Sequence, residues 1–223
     1  QMTKCNELVV LANHPANTMK SDRVQIKLSY DKSKKIIDFC KEEQISEYVL
    51  YIAAMGAVFH EQTQADDFYI GSTLLNRTGR IRKNALGLFA NTVPIYISYK
   101  EKDMSIFDYI TSVKKSIGNV FRHQKHTYNR ILKENNIGKI FDVSLNYQSA
   151  LLLDDILLDA NVYPAPEQVE SLIVHVMLTS DKQYNLFFDY QKDTFDKWEM
   201  EMLQQHMLNF IDQVIDNWAS AKG

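Results

Sequence analysis

The chain has 223 residues, 45% of them hydrophobic and 24% charged, with a net charge of −3. That length supports a full core in one domain, and the composition is that of an ordinary globular protein. The weak charge leaves no global field to favour nucleic acid or an anionic membrane, while two isolated cysteines, Cys5 and Cys40, argue against a disulfide scaffold or zinc and fit a reducing cytoplasm.

The chain opens Gln-Met and reads as a piece of something longer. In "RVQIKLSY", Val24, Ile26, Leu28 and Tyr30 alternate with polar residues, which predicts a half-buried strand over 23–30. Asp31 then caps a helix to about Lys41, with Ile36, Ile37 and Cys40 facing inward. Ser46 caps the next helix, whose stripe Val49, Ile52, Ala53, Gly56 and Ala57 lies in a nearly unbroken apolar run. That run, Tyr48 to Phe59, is too short to cross a bilayer and predicts a helix covered on most sides. "DFYIGSTL" predicts a strand over 67–74 that contains Gly71. The local basic cluster that follows, Arg77, Arg80, Arg82 and Lys83, is expected in a solvated loop, with an anion or partner contact as the functional alternative.

"LGLFANTVPI", residues 86–95, leads into a strand over 92–99, where Val93, Ile95, Ile97 and Tyr99 alternate. Pro94 donates no backbone hydrogen bond, which puts it at a strand start or an edge. Ser105 with Asp108 forms a capping box for a helix carrying Ile106, Ile110, Val113, Ile117 and Val120. Strands follow at 141–148, 171–179 and 184–191, the last two joined by the turn "SDKQ". Between the first two lies an irregular excursion, 150–170, expected to hold a short strand. Thr194 caps a long amphipathic helix with Leu203, Met207, Phe210, Val214 and Trp218 inward. The order of elements predicts one α/β domain over residues 1–223, a mixed β-sheet with helices packed mainly on one face.

Residue chemistry alone indicates no enzyme. His123 and His126 stand three apart, a spacing that would share one helix face, but no third ligand accompanies them. His175 lies mid-strand among apolar residues and is expected to be a satisfied core histidine. The Asp66-Asp67 and Asp154-Asp155 pairs are adjacent, so in strands their side chains would point to opposite faces. There is no nucleophile elbow, P-loop or dinucleotide glycine fingerprint.

The order of four short motifs is more informative. "YIGSTLLNR" (69–77), "LGLFANTVPI" (86–95), "FRHQKHTYNRI" (121–131) and "FDVSLNYQ" (141–148), followed by "FFDYQKDTFD" and a long terminal helix, resemble the second half of a nonribosomal peptide synthetase condensation domain. The second motif matches best, at Gly87, Phe89, Asn91, Thr92 and Pro94. Tyr96 stands where the family has arginine, and the third motif departs after Gln124. The family's H-H-x-x-x-D-G, which carries its central histidine, belongs to the first half of the domain, and no adjacent histidine pair occurs here.

The resemblance implies a chloramphenicol acetyltransferase-like sandwich, the C-terminal subdomain of two halves that enclose a tunnel. It implies that Gly71, Arg77, Gly87, Phe89, Asn91, Thr92, Ser144 and Asn146 lie on or near that tunnel, and that this half contributes wall and carrier-docking surface without the catalytic group. A glycine lets backbone pass close to a thin arm, and an asparagine amide can orient a polar group; the plain alternative is that Asn91 and Thr92 end a strand through local bonds. No cofactor is implied on this chain itself. Phosphopantetheine arms would arrive on peptidyl carrier domains, and the N-terminal half and an adenylation domain would be its neighbours. No metal, nucleic acid or membrane partner is expected. An uncovered face would invite self-association, or loop disorder near 76–86 and 149–170. Two other readings stay open: half of a coenzyme A-dependent acyltransferase or of an epimerisation or cyclisation relative, and a stand-alone binding module.

Overall fold

The computed structural model describes residues 18–74, 76, 87, 89–99, 104–149 and 163–222. Their order is β1 (Ser21–Lys27), α1 (Tyr30–Glu42), α2 (Glu47–Thr63), β2 (Asp67–Leu74), β3 (Asn91–Ser98), α3 (Ile106–Arg122), α4 (Tyr128–Asn135), β4 (Val143–Ser149), β5 (Leu172–Leu178), β6 (Tyr184–Gln191) and α5 (Lys197–Lys222). The six strands form one mixed sheet in the order β1-β6-β5-β4-β2-β3. β4 runs parallel to both β2 and β5, and the other pairings are antiparallel.

Period-2 alternation assigns the two faces. Val24, Phe188, Val174 and Leu145 lie in one register row and are buried together with Ile70 and Ile95. Against that face pack α1, α2, α3 and α5. The central helix α2 is buried from Val49 to Gly56 and again at Val58 and Phe59. Its apolar character on nearly all sides follows from having the sheet on one side and helices on the others. Trp218 of α5 closes this layer edge-on to Phe39, with ring centroids 5.4 Å apart, and its indole donates to Glu43. The short α4 departs from the one-sided arrangement. Ile131 packs with Ile140, Phe141 and Tyr69 in a separate small cluster, and Tyr69 alternates with buried Phe68 and Ile70, so α4 covers the opposite face over β2. Across β1, β6, β5 and β4 that face carries no helix among the described residues.

Several boundaries differ from the sequence expectation. The first strand ends at Lys27 rather than 30, because Ser29, not Asp31, is the cap: its Oγ accepts from Lys32 N at 3.2 Å. Tyr30 therefore begins a helix and is exposed instead of facing the core. Thr194 does not cap α5. It closes a turn on Gln191, and the Glu199 carboxylate accepts from Asp196 N at 2.7 Å, the returning half of a capping box one turn later. The expected strands at 92–99, 141–148 and 171–179 stand at 91–98, 143–149 and 172–178, while 67–74 and 184–191 match. The caps at Ser46 and Ser105 form as expected. Helix α4 has no counterpart in the periodicity reading. Of the irregular excursion, only 163–170 is described, and there Glu167 bridges to Lys20. The basic cluster, Cys5 and most of 76–86 and 149–170 fall outside the described residues.

Candidate functional site

In sheets with parallel strands, ligands bind beyond the carboxyl ends of those strands. Here that end gathers the last residues of β2, β4 and β5 with the first of β3, since Leu74 pairs with Asn91 and Thr73 with Thr92. Of the expected site residues, Asn91 and Thr92 start β3 at that end and Asn146 meets Thr73 beside them, whereas Gly71 and Ser144 pair farther back along the strands. Arg77 lies outside the described residues.

The join between β2 and β4 is the notable feature of this end. The ladder contains one register pair, Gly71↔Ser144. Beyond it side chains take over: Ser72 Oγ donates to Leu145 O at 2.6 Å, and Thr73 N donates to Asn146 Oδ1 at 3.2 Å. A side chain at 71 would collide with the Phe141 ring, which lies on the backbone there. Close approach is thus what requires Gly71. Ser144 is buried beside it.

Asn91 is a strut. Its Nδ2 donates to Gln124 O at 2.9 Å and His126 O at 3.0 Å, pinning the start of β3 to the turn between α3 and α4. Four residues earlier, Gly87 has φ +144°, a conformation that L side chains rarely adopt. Phe89 is half-buried between them. Tyr96, the departure from the family's arginine, donates its hydroxyl to the Asp67 carboxylate, and its carbonyl accepts from Ser116 Oγ at 2.7 Å. It ties β3 to β2 and α3. A groove of about 900 Å³ runs between β3, α3 and α4, with Val93, Pro94 and Tyr96 on its floor and Lys115, His123 and Glu134 at its rim.

The histidines are not where spacing placed them. α3 ends at Arg122, so His123 is its C-cap and His126 lies in the following turn; they share no helix face. His126 Nε2 lies 3.0 Å from Glu134, whose carboxyl is held below its usual range by Arg130 first and His126 second. Among the described residues no group of His, Cys, Asp and Glu could hold a metal ion. His175 is not a core histidine either. It sits half-exposed on the helix-free face, its Nε2 3.4 Å from Asp189 Oδ2. Asp189 in turn accepts from Arg23 Nε at 2.5 Å and Nη2 at 2.7 Å.

Residue reading also missed a tyrosine cluster on the helix-covered side of the same end. Tyr48 and Tyr51 of α2 meet Tyr147 of β4 and Tyr184 of β6; the Tyr48 hydroxyl faces Ser72, that of Tyr184 faces Tyr147, and that of Tyr51 is buried without a hydrogen-bond partner among the described residues. Burial pushes the Tyr48 phenol up to about 12 and raises the other three well above the ordinary phenol value, so all four remain neutral. The scattered positions 48, 51, 147 and 184 give no local signal in the sequence.

Comparison with known proteins supplies the context. A family model described as "Condensation domain" matches residues 3–222. One of the plipastatin synthase proteins of Bacillus subtilis is 25% identical over 203 residues, covering 87% of this chain and 8% of that protein. Surfactin synthase subunit 1 of the same species is 23% identical over 190 residues, covering 82% and 5%. Among solved structures, the condensation domain from Monacolin K polyketide synthase MokA superposes with a TM-score of 0.81 at 14% identity, covering 97% of this chain and 54% of that one. A four-domain nonribosomal peptide synthetase bound to AMP and glycine gives 0.77 at 15%, covering 94% and 18%. The chain thus spans under a tenth of these curated relatives.

Proposed function

The chain belongs to the condensation-domain family, and from that premise we propose that it is the C-terminal half of a domain that forms amide bonds between carrier-tethered aminoacyl or peptidyl thioesters. The observation that carries this reading is the position of the "LGLFANTVPI" motif, at the carboxyl end of the parallel strands and next to Asn146 of the "FDVSLNYQ" motif. The likeness to peptide synthases over most of the chain supports it.

In the proposed reaction the acceptor amine attacks the donor thioester carbonyl. A C–N bond forms, the C–S bond breaks, and the sulfur leaves on the donor's phosphopantetheine arm, while the amine gives up a proton. Two tethered reactants held in register gain most of their rate from positioning. This half supplies wall and anchorage: Asn91 fixes the start of β3 to the α3–α4 turn, Gly71 makes room for the Phe141 ring, Gly87 allows close backbone passage, and Asn146 and Thr92 offer polar contacts. The sequence contains no adjacent histidine pair, so the group that handles the proton comes from the other half. Carrier and adenylation domains are the proposed neighbours. No described helix is long and apolar enough to cross a membrane, in keeping with a proposed cytoplasmic setting.

The test supplies the N-terminal half in trans. This chain, mixed with both loaded carrier proteins, is expected to give no dipeptidyl thioester above background by mass spectrometry. Adding the other half restores product. Product from this chain alone would sink the half-domain reading.

A further inference from the structure

The helix-free face carries a polar constellation drawn from β1, β5 and β6, in which Arg23 and His175 lie outside every matched motif. Its anchor is a buried ion pair between β1 and β6. The Asp189 carboxylate, 6% exposed, takes two hydrogen bonds from the Arg23 guanidinium, whose side chain is 9% exposed. That guanidinium also lies 4.7 Å over the Phe187 ring. Both charges are therefore matched and fixed in place.

His175 of β5 stands between this pair and the candidate site. Its register partners are Phe187 on one side and Asn146 on the other. Asn146 in turn receives Thr73 N, and Thr73 pairs with Thr92. A row Phe187–His175–Asn146–Thr73–Thr92 thus crosses the sheet on one face. The charged groups that face His175 among the described residues are Asp189 and Arg23; Lys27, one row away, is engaged by Asp181. The His175 side chain is 23% exposed.

The chemistry of the pair sets the role of the ring. A carboxylate can only accept, so Asp189, 3.4 Å from Nε2, favours the tautomer with its proton there. The other nitrogen, Nδ1, is then a lone-pair acceptor, and it has no hydrogen-bond partner among the described residues. An imidazole oriented by a carboxylate in this way holds a lone pair that can accept a hydrogen bond from an N–H or O–H group.

We propose that His175, oriented by the Asp189–Arg23 pair, accepts a hydrogen bond from an N–H group of the acyl-acceptor substrate, the amine-bearing aminoacyl thioester, on the helix-free face of the sheet. The proposal rests on the amide-forming reading above. It adds a binding contact on this half, separate from the group that handles the proton.

The experiment uses the intact protein with both halves, a soluble aminoacyl N-acetylcysteamine thioester as acceptor, and the variants His175→Ala and His175→Asn. His175→Ala is expected to raise the acceptor KM about tenfold, the loss of one net hydrogen bond, with the donor KM unchanged. His175→Asn keeps an acceptor oxygen near the place of Nδ1 and restores most of that loss. An unchanged acceptor KM in the Ala variant, or an Asn variant as impaired as the Ala variant, overturns the proposal. Where the Ala variant fails to fold, His175→Phe, which fills the same space without an acceptor, is compared with the Asn variant, and an equal acceptor KM in the two overturns the proposal. No amide product from the wild type would overturn the amide-forming reading itself and this contact with it.

Discussion

At Asn91 one side chain holds two elements together. Both amide hydrogens are spent on carbonyls of the α3–α4 turn, so replacing it with Ala leaves two half-buried acceptors without their donor. Asn91→Ala is expected to cost about 1–2 kcal/mol and to lower the melting temperature by roughly 2–8 °C, measured by thermal unfolding. An unchanged melting temperature with slower amide formation per folded molecule would assign the residue to substrate instead. Asp189 makes a pH prediction. Burial alone would raise its pKa, but hydrogen bonds from Arg23 and then His175, with their charges, bring it below the usual value. A depressed carboxylate contributes stability above its unfolded pKa of about 3.9, and that contribution disappears as pH falls through the lower folded value. Urea unfolding below pH ~4 should show the wild type losing stability there. Asp189→Asn should be less stable at neutral pH, with Arg23 left uncompensated, and should lose less on acidification. A parallel acid slope in both proteins would remove Asp189 as the cause.

At the scale of elements, caps and alternation were readable and three-dimensional neighbours were not. Ser105 caps α3 by accepting from Asp108 N at 3.1 Å, as the S-x-x-D pattern signals. Ser105→Ala is expected to cost about 1 kcal/mol, read as a lower denaturant midpoint at unchanged slope. A neutral result would mean that packing of Tyr109, Ile110, Val113 and Ile117 alone holds the helix. The strands at 67–74 and 184–191 were legible because apolar alternation and turn residues bound them on both sides. The start of α1 was not, since Ser29 and Asp31 are both good caps and only the end of β1 at Lys27 decides between them. Helix α4 escaped because one buried residue, Ile131, cannot generate a period. His175 misled for a related reason: a histidine in an apolar run looks interior, yet alternation places it opposite Val174 and Val176, on the uncovered face. Motif order also singled out Gly71, Asn91, Thr92, Ser144 and Asn146, which the sheet carries on the adjacent strands β4, β2 and β3. The ion pair Arg23–Asp189 and the tyrosine hydroxyls depend on residues far apart in the chain, which no local pattern records.

At the scale of the whole molecule, the described residues pack one side of the sheet well and place no helix on the other across four strands. Ile173, Met177 and Phe187 lie half-buried on the bare side beside the Arg23–Asp189 pair. The isolated chain is expected to self-associate through it as concentration rises, and the N-terminal half, added in equal amount, to disperse the oligomers, with sedimentation velocity as the measurement. A strictly monomeric chain at high concentration would show that this side needs no cover. The strand order has a further effect, on synthesis. Among the described strands β1 is the first to emerge from the ribosome, and its ladder partner is β6, the last. That ladder must therefore wait until β6 has been translated, and Asp22, Arg23, Gln25 and Lys27 make β1 a poor template for wrong partners during that wait. The nascent chain should stay open to protease until Gln191 has left the ribosome, and a transcript that stops before Tyr184 should yield a product that loses two adjacent strands of its sheet, β6 and the edge strand β1, at once.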